Sequence, residues 1–217
     1  MFTGLVEELG KVKALLKTPQ GLKLQIQCSK VLENAKIGDS IATNGVCLTA
    51  TSIEKSSFTA DVMNESLNIS TLKYLKIGDP VNLEKSLTLT SYLGGHLVTG
   101  DVDCCGIIKN IIDDGFSKRY TVEIPEEFMK YVVYKGRVSL DGASLTVASL
   151  NDTTFTVSLI PHTQENITLG LKKINDLINV ETDLIGKHLE KLLKHDDVKN
   201  HKKSSIDSKF LAENGFF

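Results

Sequence analysis

The sequence predicts an all-β protein: two tandem copies of one small closed barrel, followed by a C-terminal α-helix. Three observations lead there. First, the chain repeats itself. At an offset of 97, Asn44-Gly45-Val46-Cys47-Leu48-Thr49 falls on Asp141-Gly142-Ala143-Ser144-Leu145-Thr146, Phe58-Thr59 on Phe155-Thr156, and Val81-Asn82-Leu83-Glu84 on Ile178-Asn179-Val180-Glu181. At 96, Thr3-Gly4-Leu5-Val6-Glu7 meets Thr99-Gly100-Asp101-Val102-Asp103, so the copies join near Gly95-His96. Second, segments in both copies alternate apolar and polar residues with the period of a half-buried strand. Third, the chain beyond the repeat carries an apolar stripe at helical spacing.

The elements follow in order. Leu5, Val6, Leu9, Val12, Leu15 and Leu16 would also fit a helical stripe, but Gly10, matched by Gly106, favours a strand. Leu22, Leu24, Ile26 and Cys28 alternate, as do Tyr120, Val122 and Ile124 in the second copy. The segments Ser40 to Ile53, Phe58 to Met63 and Pro80 to Leu83 also read as strands, each with a counterpart. Five or six such strands per copy, parted by Gly, Asn and Asp turns, predict a barrel. Pro125-Glu126-Glu127 opens a helix with Phe128, Tyr131 and Val132 on one face and a stop near Gly136. Ile185, Leu189, Leu192 and Leu193 stripe a last helix, whose natural burial site is a partner subunit. From Asp197 the chain turns polar and Lys-rich, a solvated and mobile tail in which Phe210, Leu211, Phe216 and Phe217 stand out.

Composition narrows the function classes. A net charge of -2 with scattered basic residues leaves no footprint for nucleic acid. No apolar run approaches the roughly 18 residues of a membrane span, and the start lacks an export signal, so a soluble cytoplasmic protein is expected. Cys28, Cys47, Cys104 and Cys105 match neither a disulfide framework nor a zinc site, and His96, His162, His188, His195 and His201 show no metal-ligand spacing. Phosphate-binding glycine loops are absent.

Polar positions at which the copies differ are the candidate chemistry. Cys47 opposes Ser144, each after a glycine turn and before Leu-Thr; a thiol becomes a nucleophile near neutral pH, whereas a serine needs a base beside it. Asp61 opposes Ser158, Glu65 opposes His162, and Ser86 opposes Asp183. His96, in Gly94-Gly95-His96, reads equally as linker geometry and as chemistry.

Met1-Phe2-Thr3-Gly4-Leu5-Val6-Glu7, the two Gly-x-Cys/Ser-Leu-Thr turns, Gly94-Gly95-His96, Leu159-Ile160-Pro161-His162-Thr163 and Asn179-Val180-Glu181-Thr182-Asp183 together resemble the riboflavin synthase family, alpha-chain type, a family of lumazine-binding repeats. The resemblance runs in order from Met1 to about Leu193. It implies two six-stranded Greek-key β-barrels, residues 1–96 and 97–184, a trimerisation helix at 185–196 and the polar tail at 197–217. It implies a homotrimer in which the N-terminal barrel of one subunit faces the C-terminal barrel of a neighbour, and it allows association with a lumazine synthase. The implied reaction needs no cofactor: two molecules of 6,7-dimethyl-8-ribityllumazine exchange a four-carbon unit, giving riboflavin and 5-amino-6-(D-ribitylamino)uracil.

Carried over residue by residue, Gly4, Leu5, Val6, Ser40, Cys47, Leu48, Thr49, Asp61, Val62, Met63, Asn64, Glu65 and Ser66 surround a lumazine in the first barrel. Asp101, Lys135, Ser144, Leu145, Thr146, Leu159, Ile160, Pro161, His162, Thr163 and Gln164 surround one in the second. Cys47, Ser144, Asp183 and Asp101 are the catalytic candidates. Asp101 departs from the histidine many members carry there. A non-catalytic antenna protein that holds a lumazine or flavin is the alternative; it would show one eroded pocket, whereas Cys47, Lys135, Ser144, Thr146 and Asp183 all remain. A flavin-barrel oxidoreductase would want a nicotinamide domain where the chain has a second barrel.

Overall fold

The computed structural model describes residues 1–200 and 208–216. Its first compact unit is Met1–Asp183. This unit opens with β1 (Glu8–Thr18), β2 (Gly21–Gln27), β3 (Ser40–Thr43), β4 (Val46–Glu54) and β5 (Ser57–Met63), then the short helix α1 (Asn64–Ile69) and β6 (Pro80–Lys85). The second copy repeats it with β7 (Cys104–Asp114), β8 (Ser117–Glu123), α2 (Glu126–Met129), β9 (Arg137–Leu140), β10 (Ala143–Leu150), β11 (Thr154–Leu159), α3 (Pro161–Asn166) and β12 (Leu177–Thr182). Each set closes into an antiparallel barrel in the order β1-β2-β5-β4-β3-β6 and its equivalent, so the predicted pair of six-stranded barrels is what forms. Closure leaves neither barrel an open sheet edge.

The repeat reaches into irregularities. The β1–β2 ladder slips between Val12 and Ala14 and the β7–β8 ladder between Ile108 and Asn110; β4–β5 slips at Ala50/Ser52 and β10–β11 at Val147/Ser149. These bulges bend the strands where each barrel turns its corner. Phe58, Leu24, Ile26, Ile41, Leu72 and Leu83 fill the first core, and Phe155, Tyr120, Ile108, Leu140, Leu169 and Val180 the second. Burial of each large side chain contributes about 1.5–3 kcal/mol.

The structure corrects two expectations about elements. Ser40 to Ile53 is two strands, because Asn44 and Gly45 both have positive φ (46° and 78°) and make a tight hairpin turn, repeated by Asp141 and Gly142 (46° and 84°). The helix after Pro125 stops at Met129, not near Gly136. Val132 leaves the helix for the core, and Lys135 then adopts a left-handed φ of 61° so that its N–H reaches Val147 O at 3.0 Å.

The barrels meet across an approximate two-fold axis marked by the bridge between Phe2 and Val98. Asn82 and Asn179 are its symmetric latches. Asn82 Nδ2 donates to Asp141 O (2.8 Å) and Asn179 Nδ2 to Asn44 O (2.7 Å), while their Oδ1 atoms accept from Thr168 N (2.8 Å) and Thr71 N (2.6 Å). All of these groups are buried, so each bond also avoids the cost of a buried unpaired amide. Beside these latches the symmetry breaks. Asn44 and Leu75 in the first copy become Asp141 and Lys172 in the second, an ion pair of 3.1 Å with Asp141 fully buried.

The second unit begins at Leu184. Its helix α4 (Leu184–Asn200) presents Ile185, Leu189, Leu192 and Leu193, each 54–67% exposed. A further helix, α5, spans Ser208–Glu213. Of the tail expected at 197–217, residues 201–207 and 217 lie outside the described residues. Among the described residues no helix is long and apolar enough to cross a membrane.

Candidate functional site

Two equivalent sites form where the Thr-Gly segment of each copy crosses to the other barrel. Glu84 on β6 binds the first segment: its carboxylate accepts from Thr3 N (2.6 Å), Thr3 Oγ1 (2.6 Å) and Gly4 N (3.0 Å). Glu181 on β12 binds the second, accepting from Thr99 N (2.6 Å), Thr99 Oγ1 (2.8 Å) and Gly100 N (3.1 Å). Burial raises the Glu84 carboxyl above its usual range although its donors pull it down. Held this way, each glycine turns its carbonyl to the opposite barrel, where Gly4 O accepts from Ser144 N (2.8 Å) and Gly100 O from Cys47 N (2.9 Å).

This crossing overturns one grouping taken from the sequence. Gly4 lies beside Ser144, and Asp101 lines the cavity of Cys47, the reverse of their expected barrels. The antiparallel Phe2–Val98 bridge lies on the two-fold axis, so each chain segment passes over it before joining its own barrel. The approach is close enough to require glycine: a Cβ on Gly4 would lie 2.5 Å from Ser144 Cβ, and one on Gly100 2.6 Å from Cys47 Cβ. Both have positive φ, 74° and 88°.

The first site is a cavity of about 330 Å³ lined by Cys47, Met63, Glu65, Ser66, Gly100 and Asp101, among others. Strand alternation decides what each carried-over residue offers. Cys47, Thr49 and Met63 face outward, whereas Leu48 and Val62 point into the barrel core and can give only backbone. Asp61 stands apart from this cavity, in an exposed ion pair of 2.8 Å with Lys23. Asn64 begins α1, and Ser40 lines a separate cleft of about 630 Å³ with Leu5, Glu7, Glu84, Ser86 and Tyr92.

At the second site Ser144 is half-buried and Thr146 exposed, while Leu145 and Leu159 belong to the core. Ile160, Pro161 and His162 are exposed at the start of α3, with Thr163 and Gln164 half-buried behind; Gln164 Nε2 donates to Leu159 O (2.8 Å). Val6 packs against the second core, in keeping with the crossing. Lys135 is exposed, its ammonium 5.4 Å from the Tyr134 ring centroid.

The residue that sequence reasoning left undecided is the one joined most closely to this site. His96 is buried, with Nδ1 2.7 Å from Ser144 Oγ. Burial pulls its imidazole below the ordinary 6.5; the Asp183 carboxylate opposes that shift and Arg137 reinforces it. The Gly94-Gly95 pair was the available signal, since a Cβ at Gly95 would sit 2.7 Å from Ser144 Cβ. Among the described residues no group of three His, Cys, Asp or Glu is placed to hold a metal ion.

The doubled site has relatives. The Lumazine binding domain family matches residues 3–86 and 99–183. Riboflavin synthase of Actinobacillus pleuropneumoniae is 41% identical over 216 residues, covering 100% of both chains, and that of Bacillus subtilis (strain 168) is 40% identical with the same coverage. Riboflavin synthase of Schizosaccharomyces pombe is 42% identical over 195 residues, 89% of this chain and 94% of its own. The crystal structure of LumP complexed with 6,7-dimethyl-8-(1'-D-ribityl) lumazine superimposes with a TM-score of 0.76 at 24% identity, covering 84% of this chain and 99% of that one. That likeness concerns the fold alone. With two matched repeats and full-length relatives, the chain belongs to the lumazine-binding domain family, among the riboflavin synthases.

Proposed function

We infer that the chain acts as a riboflavin synthase, converting two molecules of 6,7-dimethyl-8-ribityllumazine to riboflavin and 5-amino-6-(D-ribitylamino)uracil by transfer of a four-carbon unit. The observation that carries the reading is the full-length identity of about 40% to riboflavin synthases. The paired but unlike sites at Cys47 and Ser144 support it, because two identical substrates must play donor and acceptor.

The chemistry asks for a nucleophile at C7 of one lumazine and removal of a proton from the C7 methyl of the other. In this reading Cys47, or a water it orients, serves the first task and Ser144 the second, with Asp101 and Asp183 setting the local charge. In this reading main-chain groups beside Leu48, Val62, Leu145 and Leu159 meet the donor and acceptor edge of a pyrimidinedione. Much of the acceleration comes from holding two ring systems face to face, which removes a bimolecular entropy cost. The apolar stripe of α4 is the reason to expect a homotrimer, in which sites of neighbouring subunits are brought together; association with a lumazine synthase would be a further layer, and the setting is the cytoplasm.

Purified protein incubated with 6,7-dimethyl-8-ribityllumazine alone should release riboflavin and the diaminouracil product in equal amounts. Tight binding of the lumazine without turnover would overturn the reading in favour of an antenna or storage protein.

A further inference from the structure

Three buried side-chain atoms among the described residues have no hydrogen-bond partner: Thr43 Oγ1, His96 Nε2 and Ser139 Oγ. An unpaired buried polar atom costs about 1–3 kcal/mol, so its persistence asks for a reason. Two of the three stand around Ser144. His96 holds Ser144 Oγ through Nδ1 at 2.7 Å, and Ser139 is the cross-strand neighbour of Ser144 in the β9–β10 ladder. The first copy has neither. There Ala42 occupies the place of Ser139 beside Cys47, and the Cys47 cavity contains no histidine.

The ring of His96 is fixed from several sides. The backbone N–H of His96 donates to Thr3 O at 3.1 Å, tying the linker to the same segment whose Gly4 carbonyl accepts from Ser144 N. Gly95 clears the approach, since a Cβ there would lie 2.9 Å from Ser144 Oγ. Asp183 and Arg137 are the charged groups that act on the ring, in opposite directions, and burial outweighs Asp183, which favours the neutral form. A neutral imidazole in this place has one free nitrogen lone pair to offer the hydroxyl.

We propose that His96 is the positioning residue of Ser144: its Nδ1 accepts the Ser144 hydroxyl hydrogen bond, aims the oxygen into the second site and gives that site a proton relay which the Cys47 site lacks. The inference rests on the riboflavin synthase reading. As the C7-methyl proton of the bound lumazine passes to Ser144 Oγ, the hydroxyl proton of Ser144 passes to His96 Nδ1. One C–H bond breaks, one N–H bond forms, and the electron pair stays delocalised in the lumazine ring. A base attached to Ser144 alone also makes the two sites unequal, so the lumazine beside Ser144 is the one deprotonated.

The test is His96→Asn, whose side-chain amide reaches the position of Nδ1 and bonds Ser144 but takes up no proton. The variant should keep lumazine affinity and lose kcat on the order of 100-fold, the usual contribution of a positioned base. The acidic limb of the kcat profile should vanish with it. Ser144→Ala should show a similar loss, and the double variant no further loss. A kcat within about twofold of wild type, or losses that multiply in the double variant, would overturn the proposal. Should His96→Asn fail to fold, imidazole nitrogen shifts of the wild-type protein decide: the Nε2–H tautomer with Nδ1 sensitive to Ser144→Ala supports the relay, and an Nδ1–H tautomer sinks it. Absence of turnover in the wild type would count against the riboflavin synthase reading, while the tautomer still decides the role of His96.

Discussion

Gly45 and Gly142 meet across the two-fold axis with no room for a side chain between them. A Cβ on Gly45 would lie 2.7 Å from Gly142 N, and one on Gly142 would lie 2.8 Å from Gly45 N. The turn that closes each β3–β4-type hairpin is thus also the contact that seats one barrel on the other. Gly45→Ala should destabilise the protein by about 2–4 kcal/mol, combining left-handed strain with a clash against backbone. Gly38, at φ 96° with open space around it, is the control, and its alanine variant should cost only the strain, about 1–2 kcal/mol. Urea midpoints of the two variants check the difference; equal losses would mean the barrels shift apart freely.

Asp141 and Lys172 should behave as one unit. Lys172→Leu alone leaves a carboxylate buried without its cation and should cost about 3 kcal/mol. Adding Asp141→Asn restores the Asn44 and Leu75 pattern of the first copy, so the double variant should return to within about 1 kcal/mol of wild type. Additive losses in denaturant unfolding would show that the pair is not coupled.

Stability should depend on pH through His96. Its pKa is lowered on folding from 6.5, so the unfolded chain binds the proton more readily. The contribution is fully present above pH 6.5 and is lost as pH falls through the folded value. Unfolding free energies measured from pH 8 to 5.5 should decline on the acid side in wild type and decline less in His96→Asn. Parallel curves would assign the slope to other groups.

The four thiols should separate by reactivity. Cys47 is exposed, whereas burial, helped by Glu8, pushes the Cys28 thiol up to about 12 against a bond from Phe58, and burial also raises Cys105. Brief alkylation at pH 8 followed by peptide mapping should label Cys47 first, and added lumazine should slow it. Early labelling of Cys28 would indicate opening of the first barrel.

The barrels were legible because each copy carries its own alternation, turns and core, and even the ambiguous stripe of β1 yields to the barrel. Val12 is buried there while Leu16, beyond the reach of β6, is 61% exposed. What was hidden lies between the copies. The family resemblance grouped Gly4 with Cys47 and Asp101 with Ser144, and the exchange shows only in the contacts between copies, the Phe2–Val98 bridge and the bonds of Gly4 O and Gly100 O to the opposite barrels. The His96 contact spans 48 residues and leaves no periodic trace beyond two adjacent glycines. Lys135 was visible as a candidate, but its left-handed backbone was not. The first copy has Gly38 in that place, and a lysine there costs roughly 1–2 kcal/mol of backbone strain.

The crossed Thr-Gly segments bear on ancestry as well as on architecture. Part of the wall beside Cys47, the stretch from Gly100 to Val102, is written in the other half of the gene, so a single ancestral repeat had no complete pocket of its own. It gained one by docking on a second copy of itself and trading Thr-Gly arms, which makes a self-associating half-length protein the natural predecessor of this chain. Fusion then allowed what a symmetric pair forbids: Cys47 and Ser144, or Leu5 and Asp101, changing independently. An isolated N-terminal repeat should accordingly dimerise, and its two sites should be alike.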